Sequence, residues 1–173
     1  MKNLKYIIIS IALVLASVFT NAQTVYTVTK TTDPDPFEHP FNNDDNLCAP
    51  EMYGTLQWAI NKVNANTGES VIEFNIPGNG VHEIVLNSYL PQIINPVTID
   101  GTSQDGYTQG NPRIRIDGDL LVEQACFSAY NSSLNIEGIW FNNFTYNVIN
   151  LSAVAESEIK NLLITNNNIV LGI

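Results

Sequence analysis

Residues 96–118 read PVTIDGTSQDGYTQGNPRIRIDG. An apolar and polar alternation closes on Ile99-Asp100-Gly101, a polar loop follows, and a second alternation closes on Ile116-Asp117-Gly118. Successive side chains of a strand point to opposite faces, so each run predicts a strand with isoleucine on one face and polar residues on the other. Two strands written with one ending predict equivalent places in a repeating architecture.

From Ser70 onward the chain continues as short apolar strokes: VIEFNI, HEIVL, ACFSAY, LNIEGIWFNNF, NVINLS and EIKNLLITNNNIV. None is long enough to stand as a helix, and all are rich in β-branched residues and parted by Gly, Asn, Asp or Pro, so they predict strands. Laying LNIEGIWFNNF over EIKNLLITNNNI sets Ile139 on Ile164 and Asn142-Asn143 on Asn167-Asn168, a shift of about 25 residues in the range of solenoid repeats. Ile99 and Ile116 are only about 17 apart, which places a transition zone before the regular repeat. The expected fold class is all-β: a parallel β-helix whose turns stack inward Ile, Val, Leu and Phe into a narrow core. Asn142, Asn143, Asn167 and Asn168 are candidates for a ladder of side-chain amides at one bend; the alternative is Asn as ordinary turn filler.

Three segments are expected. Residues 1–22 read as a secretory signal: Lys2 and Lys5, an apolar run from Tyr6 to Phe19, then the small residues Thr20-Asn21-Ala22. The run falls short of the roughly twenty residues that cross a bilayer, so no membrane span is expected after cleavage. Residues 23–69 form an N-terminal cap: a strand in TVYTVTKTT, an acidic Pro- and Asn-rich loop, and a helix over 55–66. Thr55 can cap that helix, Leu56, Ala59, Ile60 and Val63 fall at helical spacing, and 66–68 supply the stop. Such an amphipathic helix can cover the open end of a stack of strands. Residues 70–173 are the turns. The sequence stops at Ile173 with no polar closing unit, so further turns or an anchoring domain are expected beyond it.

The chain holds 7 basic and 17 acidic residues, a net charge of −10; without Lys2 and Lys5 the mature balance is −12. Such a surface repels nucleic acid and anionic lipid. Asp33, Asp35, Asp44 and Asp45 cluster in the cap loop as candidate calcium ligands; the alternative is a solvated acidic loop, and no EF-hand spacing is present. His39 and His82 are isolated, which argues against zinc, and no phosphate-binding glycine loop or nucleophile elbow occurs, so no other cofactor is expected. Cys48 and Cys126 admit one disulfide in an exported chain, the alternative being two separate thiols. Trp58, Trp140 and Tyr146 could stack on sugar rings, although Trp140 lies within the core-forming IEGIWF and reads more naturally as half-buried packing.

The succession TVTKTTD, GTLQWAINKVNAN and then 71–118 resembles the N-terminal region of secreted bacterial right-handed parallel β-helix proteins of the pectate-lyase-like superfamily. In that group the helix often carries Cys-Ser-Leu-Arg-Glu-Ala-Ile or Gly-Ser-Leu-Arg-Gln-Ala-Ile. Gly54, Thr55, Leu56, Gln57, Trp58, Ala59 and Ile60 occupy those places, with Gln57 where arginine is usual and Trp58 where an acidic or amide residue is. The resemblance covers nearly all of the mature chain and implies a right-handed β-helix exported from a bacterium to the periplasm or cell surface. In a lyase of this fold an arginine or lysine base works beside carboxylates that hold calcium. The matching candidates are Arg113, Arg115 and Asp117, outward on one strand, with Asp100 on a neighbouring strand if Ile99 and Ile116 are in register; the alternative is an ordinary solvated strand face. The leading expectation is a non-catalytic stalk or adhesin-like module that meets extracellular polysaccharide or cell-envelope material. The alternative is the N-terminal part of a polysaccharide lyase or glycoside hydrolase with most of its active site beyond residue 173.

Overall fold

The computed structural model describes residues 23–121, 125–154, 156–167 and 169–172. The secretory-signal reading of 1–22 and the ladder candidate Asn168 lie outside the described residues. Within them the chain is mainly β. The cap supplies β1 (Thr24–Val28) and the helix α1 (Leu56–Ala65). There follow β2 (Ser70–Phe74), β3 (His82–Val85), β4 (Val97–Asp100), β5 (Ile114–Asp117), β6 (Phe127–Tyr130) and β7 (Leu134–Glu137). The last five are β8 (Ile139–Asn142), β9 (Asn147–Ser152), β10 (Ile159–Lys160), β11 (Leu163–Thr165) and β12 (Ile169–Gly172).

These strands form three sheets, with neighbours in the order β1-β2-β4-β7-β10, β3-β5-β8-β11 and β6-β9-β12. Every ladder between named strands is parallel. From β2 onward the chain visits first, second and third sheet in rotation, and an isolated parallel bridge from Ile93 to Ala129 gives the third sheet a place in the first round. In-register pairing stacks like on like. Ile72, Ile99, Ile136 and Ile159 form one inward column, and Ile84, Ile116 and Phe141 another, which ends at the exposed Ile164. The interior of these columns is fully buried at Ile72, Ile84, Ile99, Ile116 and Phe141.

The helix follows its sequence signals closely. Thr55 accepts a hydrogen bond from Trp58 N and Asn66 closes the C-terminus. Leu56, Ala59, Ile60 and Val63 are buried, and the helix packs on β1 and β2 at the start of the first sheet.

Two register expectations are corrected. Ile99 pairs with Ile72 and Ile136 in the first sheet, whereas Ile116 pairs with Ile84 and Phe141 in the second. The two Ile-Asp-Gly endings are therefore successive strands on different sheets, not stacked equivalents. The late repeat also sets Phe141 against Ile164 and Asn142 against Thr165, a shift of 23 residues, not 25. A slip of two residues leaves every side chain on its own face, so apolar patterning cannot separate the two registers.

What the two endings share is a corner. Asp100 Oδ1 accepts from Thr102 N at 2.9 Å and from Thr102 Oγ1 at 2.6 Å, and Asp117 Oδ1 accepts from Asp119 N at 3.0 Å. Isoleucine fills the core, aspartate caps the backbone that leaves the strand, and glycine lets another segment come close. A Cβ at Gly101 would strike the Gly138 carbonyl oxygen and lie 2.6 Å from Ile139 Cδ1; one at Gly118 would lie 2.8 Å from Phe144 Cγ. The loop after Gly101 stitches the earlier round in place. Ser103 Oγ accepts from Phe74 N at 2.8 Å, while Gln104 accepts from Ile76 N at 2.8 Å and donates to Ile76 O at 3.0 Å. Because the obstacle at Gly101 is backbone, Gly101→Ala should lower stability by about 1–3 kcal/mol in a denaturant melt. Gly118→Ala meets the fully buried Phe144 ring and should cost a similar amount.

Candidate functional site

The candidate site of the sequence reading is the outer face of the second sheet. Glu83, Arg115 and Trp140 stand in register on β3, β5 and β8. The Arg115 guanidinium pairs through Nη2 with the Glu83 carboxylate, and its central carbon lies 4.8 Å from the Trp140 ring centroid. Arg115 Nε is buried and has no hydrogen-bond partner. Trp140 Nε1 donates to Thr165 Oγ1 at 2.7 Å, and that hydroxyl donates to Asn142 Oδ1 at 2.7 Å. Asn142 Nδ2 and Asn143 Nδ2 each donate to Asp117 Oδ2 at 2.9 Å. A polar seam thus runs along the corner after the second sheet.

This seam takes the place of the expected amide ladder. Asn166 joins it, donating to Asn142 Oδ1 at 3.2 Å. Asn167 instead accepts from Phe144 N at 2.7 Å and donates to Phe141 O at 3.0 Å. Asn143 and Asn166 hold φ of 60° and 56° at equivalent places, so the left-handed corner that asparagine tolerates is present in both rounds.

The four catalytic candidates are dispersed. Arg113 precedes β5, and its Nε donates to Gly106 O at 2.7 Å. Arg115 is held by Glu83 and Trp140, and Asp117 by Asn142, Asn143 and the Asp119 amide. Asp100 lies on the first sheet, in register between Glu73 and Glu137. That outer column of three carboxylates ends at Lys160, which contacts Glu137 at 3.4 Å and Glu158 at 3.1 Å. Hydrogen bonds to Glu158 and Glu137 raise the Lys160 ammonium pKa.

The four candidate calcium ligands are likewise drawn to separate tasks, and no group of three or more His, Cys, Asp or Glu gathers as a metal site among the described residues. Asp33 is buried. Its Oδ1 accepts from Gln57 Nε2 at 2.5 Å, and its Oδ2 from Asn87 N at 2.8 Å and Ser88 N at 3.0 Å. Asp35 accepts from Phe37 N at 2.8 Å, and Asp44 from Asn46 N at 3.0 Å. Asp45 accepts from Trp58 Nε1 at 3.1 Å and pairs with Lys62 at 3.2 Å. Trp58 is thereby buried cap structure, leaving Tyr146 the more exposed of the sugar-stacking candidates.

Cys48 and Cys126 are both free buried thiols, so the structure takes the unbridged alternative. Burial, and then the negative charge of Asp33, push the Cys126 thiol well above its ordinary pKa. His82, facing inward beside Ile114, is buried with no partner for Nε2.

Sequence reasoning found Arg115 but missed Glu83 and Glu73. Both carry the same signal, a charged residue between two inward apolar or buried positions in HEIVL and VIEFNI, which becomes informative only once the sheet to which each strand belongs is known. Neither a family model, nor a curated protein, nor a solved structure matches the chain. The described residues contain no helix long and apolar enough to cross a membrane.

Two outcomes follow for stability. Asp33→Ala leaves the amides of Asn87, Ser88 and Gln57 without their acceptor and should cost on the order of 3 kcal/mol in a urea melt, against roughly 0.5 kcal/mol or less for Arg113→Ala. The Cys126 effect has a definite sign. Its raised folded pKa gives stability that is complete below the unfolded thiol value near 8.5 and lost as pH climbs toward the folded value. Above about pH 8.5 the wild type should therefore lose up to roughly 1.4 kcal/mol per pH unit more than Cys126→Ala, a slope difference readable from melts across alkaline pH.

Proposed function

We propose that the three parallel sheets are the faces of a right-handed parallel β-helix, and that the chain is a non-catalytic exported module: a surface stalk or adhesin-like element that meets extracellular polysaccharide or cell-envelope material. The supporting observation for a non-catalytic role is the commitment of each catalytic candidate to a different structural bond on one of two sheets. A general base must reach a substrate proton, and an arginine clamped between a carboxylate and an indole ring is held for packing. Charge supports the same reading, since 17 acidic against 7 basic residues repel a polyuronate substrate.

The β-helix reading is supported by strands that enter three parallel sheets in rotation, with inward apolar columns in register. Each round then buries its apolar face only against its neighbours, the arrangement from which extended stalks are made. Export is supported by the basic, apolar and small-residue succession of 1–22. Full-length protein incubated with polygalacturonate should leave ultraviolet absorbance flat. A steady rise from new unsaturated chain ends would remove the non-catalytic reading.

A further inference from the structure

Two exposed aromatic residues flank a cleft on the cap that belongs neither to the second-sheet face nor to the acidic column. Phe37 is 95% exposed and Tyr89 52% exposed. Both belong to the lining of a cavity of about 340 Å³, with Asp35, Pro36, Asn87 and Ser88. Leaving a phenylalanine ring almost wholly in water forgoes the burial that normally holds aromatics inside.

The two walls come from segments some fifty residues apart in the chain, yet they are tied together. Asp33 Oδ2 accepts from the amides of Asn87 and Ser88, and Asn87 Nδ2 donates back to Asp33 O at 3.1 Å. On the Phe37 side, Asp35 accepts from Phe37 N through its side chain and from His39 N through its carbonyl, both at 2.8 Å, with Pro34 and Pro36 on either side. Proline restricts the backbone before any ligand arrives. The backbone on both sides of the cleft is thus fixed by these bonds.

Its lining has a chemical character of its own: two aromatic rings and a proline share it with an amide, a hydroxyl and a carboxylate. A pyranose has matching parts, a C–H face that stacks on an aromatic ring and hydroxyl edges that hydrogen-bond. Asp35 is the one acidic or basic side chain in the lining, so an anionic sugar would meet only repulsion. The volume lies at the small end of ligand sites and suits one or two sugar units.

We propose that this cleft binds a neutral saccharide, stacked between Phe37 and Tyr89 with its hydroxyls toward Asp35, Asn87 and Ser88. The proposal rests on the carbohydrate-contact reading above and gives it a place and a ligand class. The test titrates the full chain calorimetrically with neutral oligosaccharides of glucose, galactose and mannose, with galacturonate oligomers, and with an aliphatic peptide. A neutral oligosaccharide should bind, and Phe37→Ala and Tyr89→Ala should each weaken it roughly tenfold, the loss of one stacking ring, with thermal unfolding unchanged for the exposed Phe37 position. Neutral binding that neither variant weakens would overturn this site while leaving carbohydrate contact standing. Binding of galacturonate oligomers alone, or of the peptide alone, would overturn the ligand class. No binding by any sugar would remove carbohydrate contact and the site together.

Discussion

In-register parallel stacking is the constraint on which the rest depends. When Ile72, Ile99 and Ile136 lie one above another, the position of every other side chain on those strands is already decided. A slip of one residue would turn Asp100 inward and Ile99 out to water, so the core enforces the register strongly. The outer face inherits that register whatever its own preferences are. On the first sheet the inheritance is unfavourable: Glu73, Asp100 and Glu137 come into line, and like charges directly opposite repel. The repulsion is met locally, by Thr102 at Asp100 and by Asn161 and Lys160 at Glu137. On the second sheet the same rule brings together Glu83, Arg115 and Trp140, which attract.

Parallel pairing also governs the corners, because no two-residue hairpin can join neighbours in such a sheet and the backbone must bend between sheets. Equivalent corners solve the bend in equivalent ways. Gly138 and Asn161 follow β7 and β10 with φ of 70° and 53°, and Asn143 and Asn166 follow β8 and β11. Asn131 and Ala153 follow paired strands of the third sheet with φ of 51° and 55°. Alanine is the costly member of this set, since a left-handed backbone crowds its Cβ at a cost of roughly 1–2 kcal/mol. That it holds the same conformation as Asn131 shows the corner being imposed by the strands around it.

The helix was legible because its cap, spacing and stop are local, and the strands because β-branched alternation is local as well. The rotation among three sheets was not. Ile99 and Ile116 are followed by the same Asp-Gly pair but have different partners in space, since an Ile-Asp-Gly ending reports a need for a tight capped corner and says nothing of which corner it is. The 23-residue shift was hidden by the two-residue period of strands. The candidate sites failed for a related reason: Asp33 and Asp45 look alike in a list of acidic loop residues, yet one is a buried acceptor for distant amides and the other is an exposed partner of the buried Trp58 indole and of Lys62. Partners 24 to 55 residues away along the chain separate the two roles, and spacing within the loop carries no trace of them.

Asp33 links the cap to the body of the fold, and no cationic side chain among the described residues forms an ion pair with it. A buried carboxylate pairing with arginine would gain Coulomb energy but add a second charge to desolvate. Gln57 donates one neutral amide to Asp33, to Pro34 O at 3.2 Å and to Ser88 Oγ at 2.7 Å, and backbone amides of the β3–β4 connection supply the rest. The carboxyl oxygens are therefore met by protein dipoles alone. The field of Asp33 is felt at Cys126, just before β6, where it adds to burial in keeping the thiol protonated. One side chain thus ties together the cap loop, the helix and the connection between the second and first sheets, and reaches electrostatically to the start of the third. The cap behaves as an integral first layer of the stack, held by hydrogen bonds that depend on its order, and the backbone around the aromatic cleft is held by the same bonds.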